Sequence, residues 1–249
     1  MSRHDEILTE LGLAPTWHRR ARPGFDLAPD ALAAPAIPTV APAAPPVAPG
    51  VTAVASPQAR AVRIAALEWR DFAADVDACV ACALSRTRKK TVPGVGDVRA
   101  QWLFVGEAPG AEEDAKGEPF VGQAGKLLDS MLAALGMNRG KSVYIANVLK
   151  CRPPANRTPE PGEVDACRPY LDRQIALIAP KVIVALGKTA MTRLLGNESA
   201  SLGSMRGKVH DYRGRPVVVT YHPAYLLRTL PEKAKAWEDL LFARRAFAG

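Results

Sequence analysis

The sequence predicts an α/β fold in which a parallel sheet carries helices on both faces. Four short apolar runs with the character of buried strands recur between helical segments, at 102–107, 143–148, 181–187 and 216–221. Strands and helices that alternate at this spacing build βαβ units, whose strands are parallel. Every run ends at a distinctive glycine, asparagine or histidine, at the edge where such sheets bind ligands. The fold and the place of a ligand site are therefore predicted together.

The connectors between these runs are predicted to be helices. Residues 122–136 carry a core-facing stripe of leucines and end on Gly136, a favourable C-terminal cap. Residues 160–178 begin with a proline and an acidic residue, and another proline follows their end. A shorter helix is predicted at 189–195, and a further one before the first strand, at 65–76.

Residues 1–60 differ in composition from the rest of the chain and are predicted to form a separate region. Residues 5–17 contain a short segment with helical periodicity and a tryptophan. Residues 27–57 are almost entirely Ala, Pro and Val, which predicts a disordered spacer. A small apolar helix on a long tether is typical of a docking peptide; a tail without a role is the alternative. The folded domain is predicted at 61–249.

The distribution of charge indicates a polyanionic partner. Residues 1–60 contain five arginines and five acidic residues, so the net charge of +8 lies entirely in 61–249. A basic domain beside a neutral tail favours nucleic acid as the partner; a basic surface with no partner is the alternative. No run is apolar enough to cross a bilayer, and residues 1–20 lack the apolar core of a secretory signal. We expect a monomer that lies in the cytoplasm and does not bind a membrane. In a bacterium it would be associated with the nucleoid.

The chain has four cysteines, at Cys79, Cys82, Cys151 and Cys167. Disulfides are disfavoured in a reducing cytoplasm, and no thioredoxin-like unit surrounds the Cys-x-x-Cys pair. Four thiolates around one metal centre fit best, either zinc or an iron–sulfur cluster. The 68 residues at 83–150 separate the second and third cysteines, far more than a zinc ribbon uses. This favours [4Fe–4S], with zinc or four unrelated buried cysteines as alternatives.

The turn that follows the first strand has the layout of a ligand pocket. The strand stops at Gly106, and a turn rich in proline and glycine leads into several acidic residues. Phe120, in the loop after this turn, can stack on a flat ligand or cap the core. Glu107 and Glu113 can order a water or act as a base; alternatively they are solvated acids at a helix N-terminus.

Two polar residues at the ends of later strands complete the candidate site. His222 follows the fourth strand, and Pro223 fixes a turn that holds the imidazole at the sheet edge. Asn147 ends an otherwise apolar strand, where a buried amide must find partners. Such an amide can read the edge of a planar base, or it can tie down the next loop.

Together these residues resemble the family 4 uracil-DNA glycosylases. The resemblance extends over about residues 75–245 and includes the four cysteines. Its motifs are Gly106-Glu107-Ala108-Pro109-Gly110, Glu118-Pro119-Phe120-Val121-Gly122, the segment from Asn147 to Pro154, and His222-Pro223-Ala224. The family fold is a three-layer α/β/α sandwich around a four-stranded parallel sheet. The implied cofactor is a [4Fe–4S] cluster held by the four cysteines.

By position, the resemblance implies a role for each pocket residue. Phe120 would stack on uracil, Asn147 would bond its polar edge and reject cytosine, and His222 would stabilise negative charge on uracil O2. Glu113 resembles the residue that helps to order the attacking water. Ala108 stands where better-known uracil glycosylases have an aspartate, so leaving-group stabilisation is expected to outweigh general base catalysis. The remaining predicted pocket residues are Gly106, Gly110 and Asn156.

The resemblance also implies contacts to DNA. Leu226 occupies the place of the wedge that fills the hole left by a flipped base, and Arg228, Lys233 and Lys235 are candidates for phosphate contacts. A related subgroup traps DNA through a histidine in the loop after the second strand. No histidine occurs at 148–166, so ordinary turnover is expected.

The implied activity is excision of uracil from DNA. The enzyme would flip uracil out of single- or double-stranded DNA and hydrolyse its N-glycosidic bond, leaving an abasic site. Two alternatives stay open at this point. One is a glycosylase of the same fold for another damaged base, and the other is a non-catalytic iron–sulfur adaptor that binds nucleic acid.

Overall fold

The central sheet has six strands in a computed structural model that describes residues 56–247. Its strands in chain order are β1 (Val95–Gly96), β2 (Trp102–Gly106), β3 (Val143–Asn147), β4 (Val182–Leu186), β5 (Val209–Tyr212) and β6 (Arg215–Thr220). Their spatial order is β1-β3-β2-β4-β6-β5. The four predicted runs are the four inner strands, and these pair in parallel as expected.

The two edge strands are antiparallel to their neighbours and were not predicted. β1 has only two residues, too few to give a periodic pattern. β5 alternates between exposed and half-buried residues along most of its length, and it joins β6 through a tight turn at Arg213 and Gly214. The prediction of a four-stranded parallel sheet therefore describes the middle of a larger mixed sheet.

The described helices connect and cover these strands. They are α1 (Pro57–Ala65), α2 (Trp69–Asp77), α3 (Ala111–Lys116), α4 (Gln123–Ala134), α5 (Pro161–Ile178), α6 (Lys188–Leu195), α7 (Leu202–Met205), α8 (Pro223–Arg228) and α9 (Glu232–Phe247), with 3-10 turns at Ala83–Arg86 and Pro154–Asn156. The three predicted connectors correspond to α4, α5 and α6, which confirms the βαβ prediction.

The prediction of a single helix at 65–76 was wrong. The chain bends between α1 and α2, and the backbone at Glu68 is extended. This bend lets Ile64 of α1 and Phe72 of α2 join one apolar cluster with Tyr170 of α5. Residues 57–60, predicted to belong to the linker, are also helical because α1 begins at Pro57.

Both faces of the inner strands are buried, as a three-layer sandwich requires. Leu103 and Val105 point into a cluster on one face that includes residues of α5 and α6. Phe104, between them, points into a cluster on the other face that includes residues of α4 and α9. Alternate residues of one strand therefore fill two separate cores.

The parallel register brings the predicted site residues to one edge of the sheet. Gly106 at the end of β2 lies opposite Asn147 at the end of β3. β4 and β6 end beside each other, so Gly187 and His222 leave the sheet at the same edge. The prediction that the four strand ends lie at one edge of the sheet is confirmed.

The proposed docking segment at 5–17 and nearly all of the spacer at 27–57 lie outside the described residues. Within the described part of the chain, no helix has both the length and the apolar character that a membrane span needs.

Candidate active site

A cavity of about 200 Å³ opens at the carboxyl ends of the strands. Most of the residues predicted for the pocket line it. These are Glu107, Ala108, Gly110, Glu113, Phe120, Asn147, Asn156 and His222. The other lining residues are Pro109, Ala124, Pro153, Arg157 and Ala224. The structure therefore brings together residues that the sequence spreads over more than a hundred positions.

Gly106 lies against the cavity residues, and its lack of a side chain makes their arrangement possible. A Cβ at this position would come within 2.4 Å of Asn147 Oδ1 and 2.6 Å of Phe120 Cζ. Both distances are far inside van der Waals contact. The glycine is therefore needed for the close approach of Asn147 and Phe120, and it does not itself line the cavity.

Phe120 forms an aromatic wall of the cavity and has a strained backbone. Its φ is +54°, a left-handed conformation that costs free energy for a bulky residue. Arg139 holds this conformation, because its guanidinium donates to the carbonyl of Phe120 and, at 2.7 Å, to that of Pro119. Arg139 is itself fixed by Asp129, with Nε 2.6 Å from Oδ1. Sequence reasoning missed Arg139 because it is distant in the chain and carries no motif.

The Phe120 ring lies beside the His222 imidazole, with ring centroids 5.4 Å apart and planes inclined by 29°. This pair borders the cavity on one side. Gly125 permits the position of the Phe120 loop, because a Cβ there would lie 1.7 Å from the Phe120 carbonyl oxygen. Gly187 similarly makes room for His222, whose Cβ would be 2.9 Å away.

Asn147 lines the cavity and carries a polar atom without a hydrogen-bond partner. Its side chain is 2% exposed, and its Oδ1 has no hydrogen-bond partner. A buried amide oxygen left unpaired costs about 1–3 kcal/mol. The Asn147 amide lines the cavity, so it can form a hydrogen bond with a polar ligand that binds there.

His222 is held as a neutral hydrogen-bond donor. The backbone N–H of Ala224 donates to His222 Nδ1 at 3.1 Å, so the proton of a neutral imidazole is on Nε2. Burial, helped by the charge of Arg228, lowers the pKa of His222 to about 4, while the charge of Glu113 opposes the change. At neutral pH the ring is therefore uncharged and its Nε2–H is available to a ligand.

Glu113 ties two loops of the pocket together. Its Oε2 accepts the N–H of Gly110 at 3.0 Å, and its Oε1 accepts those of Val121 and Gly122 at 3.0 and 3.1 Å. The carboxylate therefore joins the turn after β2 to the loop that carries Phe120. This positioning role was not predicted, and the predicted role in ordering water stays a prediction.

One further acid and one further amide that line the cavity accept hydrogen bonds from other residues. Glu107 accepts a hydrogen bond from the hydroxyl of Thr189 on α6 at 2.5 Å. Asn156 accepts one from Arg152 Nε at 2.7 Å. Arg157, which the sequence did not suggest, lines the cavity and forms a bidentate pair with Glu163, with its two nitrogens at 2.6 and 2.9 Å. In the sequence, only the presence of an acid six residues after Arg157 could have indicated this ion pair.

The prediction of Leu226 as a DNA wedge is contradicted by its burial. Leu226 is 1% exposed and packs inside the molecule, because α8 turns this face towards the core. Its neighbours Tyr225 and Leu227 are 37% and 41% exposed. The spacing after the histidine did not indicate which face of α8 is buried. Arg228 and Lys233 are both exposed, as phosphate contacts require.

The four cysteines line one small cavity of about 20 Å³ next to the pocket strand β3. All four are free thiols, and within residues 56–247 no three His, Cys, Asp or Glu side chains are arranged to hold a single metal ion. Burial raises the pKa of Cys167 to about 12 and raises that of Cys151 as well. A metal that binds these thiols would have to displace their protons.

Basic residues surround the cysteine sulfurs. Three sulfurs accept a hydrogen bond from a different basic residue, in the pairs Arg60–Cys79 at 3.3 Å, Arg88–Cys151 at 3.1 Å and, from the backbone N–H of the lysine, Lys150–Cys167 at 3.3 Å. Hydrogen bonds to sulfur and nearby positive charge both suit an anionic metal–thiolate centre. This set of donors was not predicted from the sequence.

Comparison with known proteins identifies the family. The model of the uracil DNA glycosylase superfamily matches residues 93–241. A type-4 uracil-DNA glycosylase of Archaeoglobus fulgidus is 48% identical over 164 residues, which are 63% of this chain and 82% of the relative. The chain belongs to the type-4 uracil-DNA glycosylases. The type-4 enzyme of Thermotoga maritima is also 48% identical, over 61% of this chain and 80% of its own.

A type-5 uracil-DNA glycosylase of Thermus thermophilus is more distant, with 33% identity over 53% of this chain and 68% of its own. The superfamily match includes every residue that lines the cavity, together with Cys151 and Cys167. Cys79 and Cys82 precede it. The glycosylase resemblance inferred from motifs is therefore confirmed, and the α/β fold agrees with the superfamily.

Proposed function

We propose that this protein is a DNA-repair glycosylase that flips uracil out of DNA and hydrolyses its N-glycosidic bond. Free uracil and an abasic site would be the products. The observation that carries the proposal is the unpaired Oδ1 of Asn147 in a cavity bordered by the Phe120 and His222 rings. Membership of the type-4 family points to the same reaction.

Asn147 would select uracil over cytosine. Its Oδ1 can accept the N3–H of uracil while its amide N–H₂ donates to O4. Cytosine has no hydrogen on N3 and carries an amine at C4, so both contacts would be mismatched. A site that leaves buried polar groups unpaired with the wrong ligand discriminates strongly. Phe120 would stack on the ring of the bound base.

His222 would stabilise the leaving group. Cleavage of the glycosidic bond places negative charge on uracil O2, which the Nε2–H of the neutral imidazole can meet as a donor. One such preorganised donor is typically worth about 3–4 kcal/mol in the transition state. Ala108 supplies no carboxylate beside the sugar, so any help from a base would come from Glu107 or Glu113.

We also propose that Cys79, Cys82, Cys151 and Cys167 hold a [4Fe–4S] cluster. The four cysteines line one cavity, and basic residues donate hydrogen bonds to three of their sulfurs, which suits an anionic iron–sulfur centre. The cluster would fasten α2, the loop after β3 and α5 together, and it takes no part in bond cleavage.

DNA would approach the strand-end edge through the exposed face of α8 and the start of α9. Arg228 and Lys233 are exposed there and would contact phosphates. Extruding the base costs a few kcal/mol, least for a mismatched or single-stranded base. A protein partner for residues 5–17, a monomeric state and a cytoplasmic location remain predictions.

The test is base release from oligonucleotides that differ only in one base. Purified protein with its metal centre filled would be incubated with DNA that contains a single uracil, cytosine, thymine or hypoxanthine. Release of uracil alone, with an alkali-labile site left behind, is the expected result. Binding without release would support an adaptor, and release of another base in preference to uracil would replace the proposed substrate.

A further inference from the structure

Lys150 is a buried lysine situated between the pocket and the four-cysteine centre. Its side chain is 1% exposed, and it is the one fully buried basic residue within 56–247. Its Nζ donates to the backbone carbonyl of Asn147 at 2.8 Å and to Gln174 Oε1 at 2.5 Å. Lys150 therefore contacts the residue proposed to read uracil, although it does not line the cavity.

The two hydrogen-bond partners of the Lys150 ammonium are neutral, so no carboxylate balances its positive charge. None of the ion pairs in the described part of the chain involves Lys150. Lys150 lines the cavity that the four cysteines share, and its backbone N–H donates to Cys167 Sγ at 3.3 Å. A buried ammonium without a counter-charge is strongly unfavourable. A negatively charged metal–thiolate centre would supply that counter-charge.

The contact with Asn147 fixes a peptide group at both ends. Lys150 Nζ holds the carbonyl oxygen of Asn147, and the N–H of Val148 in the same peptide group donates to the Gly106 carbonyl at 2.9 Å. The orientation of the Gln174 side chain is fixed, because its Nε2 donates to the Pro93 carbonyl at 2.7 Å. This bond directs Oε1 towards Lys150. The backbone that carries the Asn147 amide is therefore set by a chain of buried contacts.

We propose that Lys150 is a positioning residue that couples the four-cysteine centre to uracil recognition. Its ammonium, neutralised by the centre, holds the peptide group that orients the Asn147 amide. This inference rests on the proposed function, because Asn147 has a reading role only if uracil is the ligand. The inference predicts that the charge of Lys150 affects two properties: the recognition of uracil and the reduction potential of the four-cysteine centre.

The other basic residues at the centre provide matched controls. Arg88 donates to Cys151 Sγ at 3.1 Å and to the carbonyl of Cys79 at 2.9 Å, and it has no contact with Asn147. Replacing Arg88 by glutamine therefore removes a positive charge beside the same sulfurs without disturbing the pocket peptide. A comparison of Lys150→Gln with Arg88→Gln separates an effect on the centre from an effect on base reading.

The experiment measures three quantities in the metal-replete wild type and in Lys150→Gln, Lys150→Arg and Arg88→Gln. They are the reduction potential of the centre, the affinity for free uracil, and kcat and KM for uracil release. Both glutamine variants should lower the potential, since each removes a cation near the centre. Lys150→Gln alone should weaken uracil binding and lower kcat, by up to about 100-fold for a displaced contact group, with KM for DNA little changed.

The Lys150→Arg variant keeps the charge and the donors and should restore part of the loss in both uracil binding and kcat. Uracil binding and kcat in Lys150→Gln that match those of Arg88→Gln would overturn the inference. If Lys150→Gln fails to assemble the centre, Lys150→Arg must assemble it and bind uracil, and failure there would also overturn the inference. Absence of uracil release by the wild type would instead refute the proposed function, while the change in potential would still be measurable.

Discussion

The pocket and the four-cysteine centre share the segment 147–151 but differ in the charge of the groups that line them. In the pocket, the two polar groups proposed to contact the base are uncharged: the amide of Asn147 and the imidazole of His222, whose pKa burial lowers to about 4. The centre gathers positive charge around buried sulfurs, through Arg60, Arg88 and Lys150. Charge that develops during a reaction is met best by fixed neutral dipoles, whereas a resident anionic group needs permanent counter-charge.

The largest effect that this comparison predicts follows from removal of the neutral donor, His222. His222→Ala should lower kcat by about 10²–10³, which corresponds to about 3–4 kcal/mol, while DNA affinity stays within a few-fold. His210 is the matched control, because its Nε2 contacts the Met205 carbonyl at 2.7 Å, far from the cavity. Single-turnover uracil release measures both variants. An unchanged rate in His222→Ala would remove this residue from the mechanism.

The neutrality of His222 also has a consequence for stability. Because its folded-state pKa of about 4 lies below that of the unfolded chain, the unfolded state binds more protons between these values. The folded state therefore keeps its full stability above about pH 6.5 and loses up to about 3 kcal/mol as the pH falls towards 4.

This pH effect is measured by urea unfolding at pH 7 and pH 4.5, with wild type and His222→Asn in parallel. The variant lacks the titrating ring, so it should lose less stability than the wild type over this interval. Equal losses would show that His222 is not held neutral by burial.

A third prediction concerns the two leucines of α8. Leu226→Ala should lower the free energy of unfolding by about 2 kcal/mol or more, because its side chain is 1% exposed. Leu227→Ala, at a side chain that is 41% exposed, should leave stability nearly unchanged. Denaturant unfolding of both variants decides the point. A stable Leu226→Ala protein with a selective loss of activity on duplex DNA would restore the wedge role predicted from the sequence.

The sequence predicted which residues meet at the sheet edge where topology alone determines their position. Gly106, Asn147 and His222 end parallel strands, so their meeting at one edge follows from the βαβ pattern. The sequence did not predict the burial of Leu226, because the six residues of α8 are too few to show a periodic apolar face. Residues that act through long-range contacts were also missed. Arg139 bonds to a loop 19 residues earlier in the chain, and no local pattern reports this contact.

Arg139 supplies a fourth prediction, about the rigidity of the pocket wall. Arg139→Ala removes the donors that hold the left-handed Phe120 backbone, so the ring should lose its fixed position. We expect kcat to fall about tenfold, a loss of roughly 1.4 kcal/mol, with little change in DNA affinity. Arg70→Ala is the control, because its ion pair with Asp71 is exposed and distant from the cavity. Full activity in Arg139→Ala would show that other contacts suffice to place Phe120.

The smallest expected effect concerns charge outside both sites. Arg228→Gln and Lys233→Gln should each weaken DNA binding a few-fold and reduce the slope of log affinity against log salt by about 1, because each removes one phosphate contact. Lys141→Gln is the matched control, since that exposed lysine lies before the start of β3, at the opposite edge of the sheet. Titrations at two or more salt concentrations distinguish the three variants. Equal slopes in all of them would place the DNA path elsewhere, and the neutral pocket would then receive its base from a different face of the sheet edge.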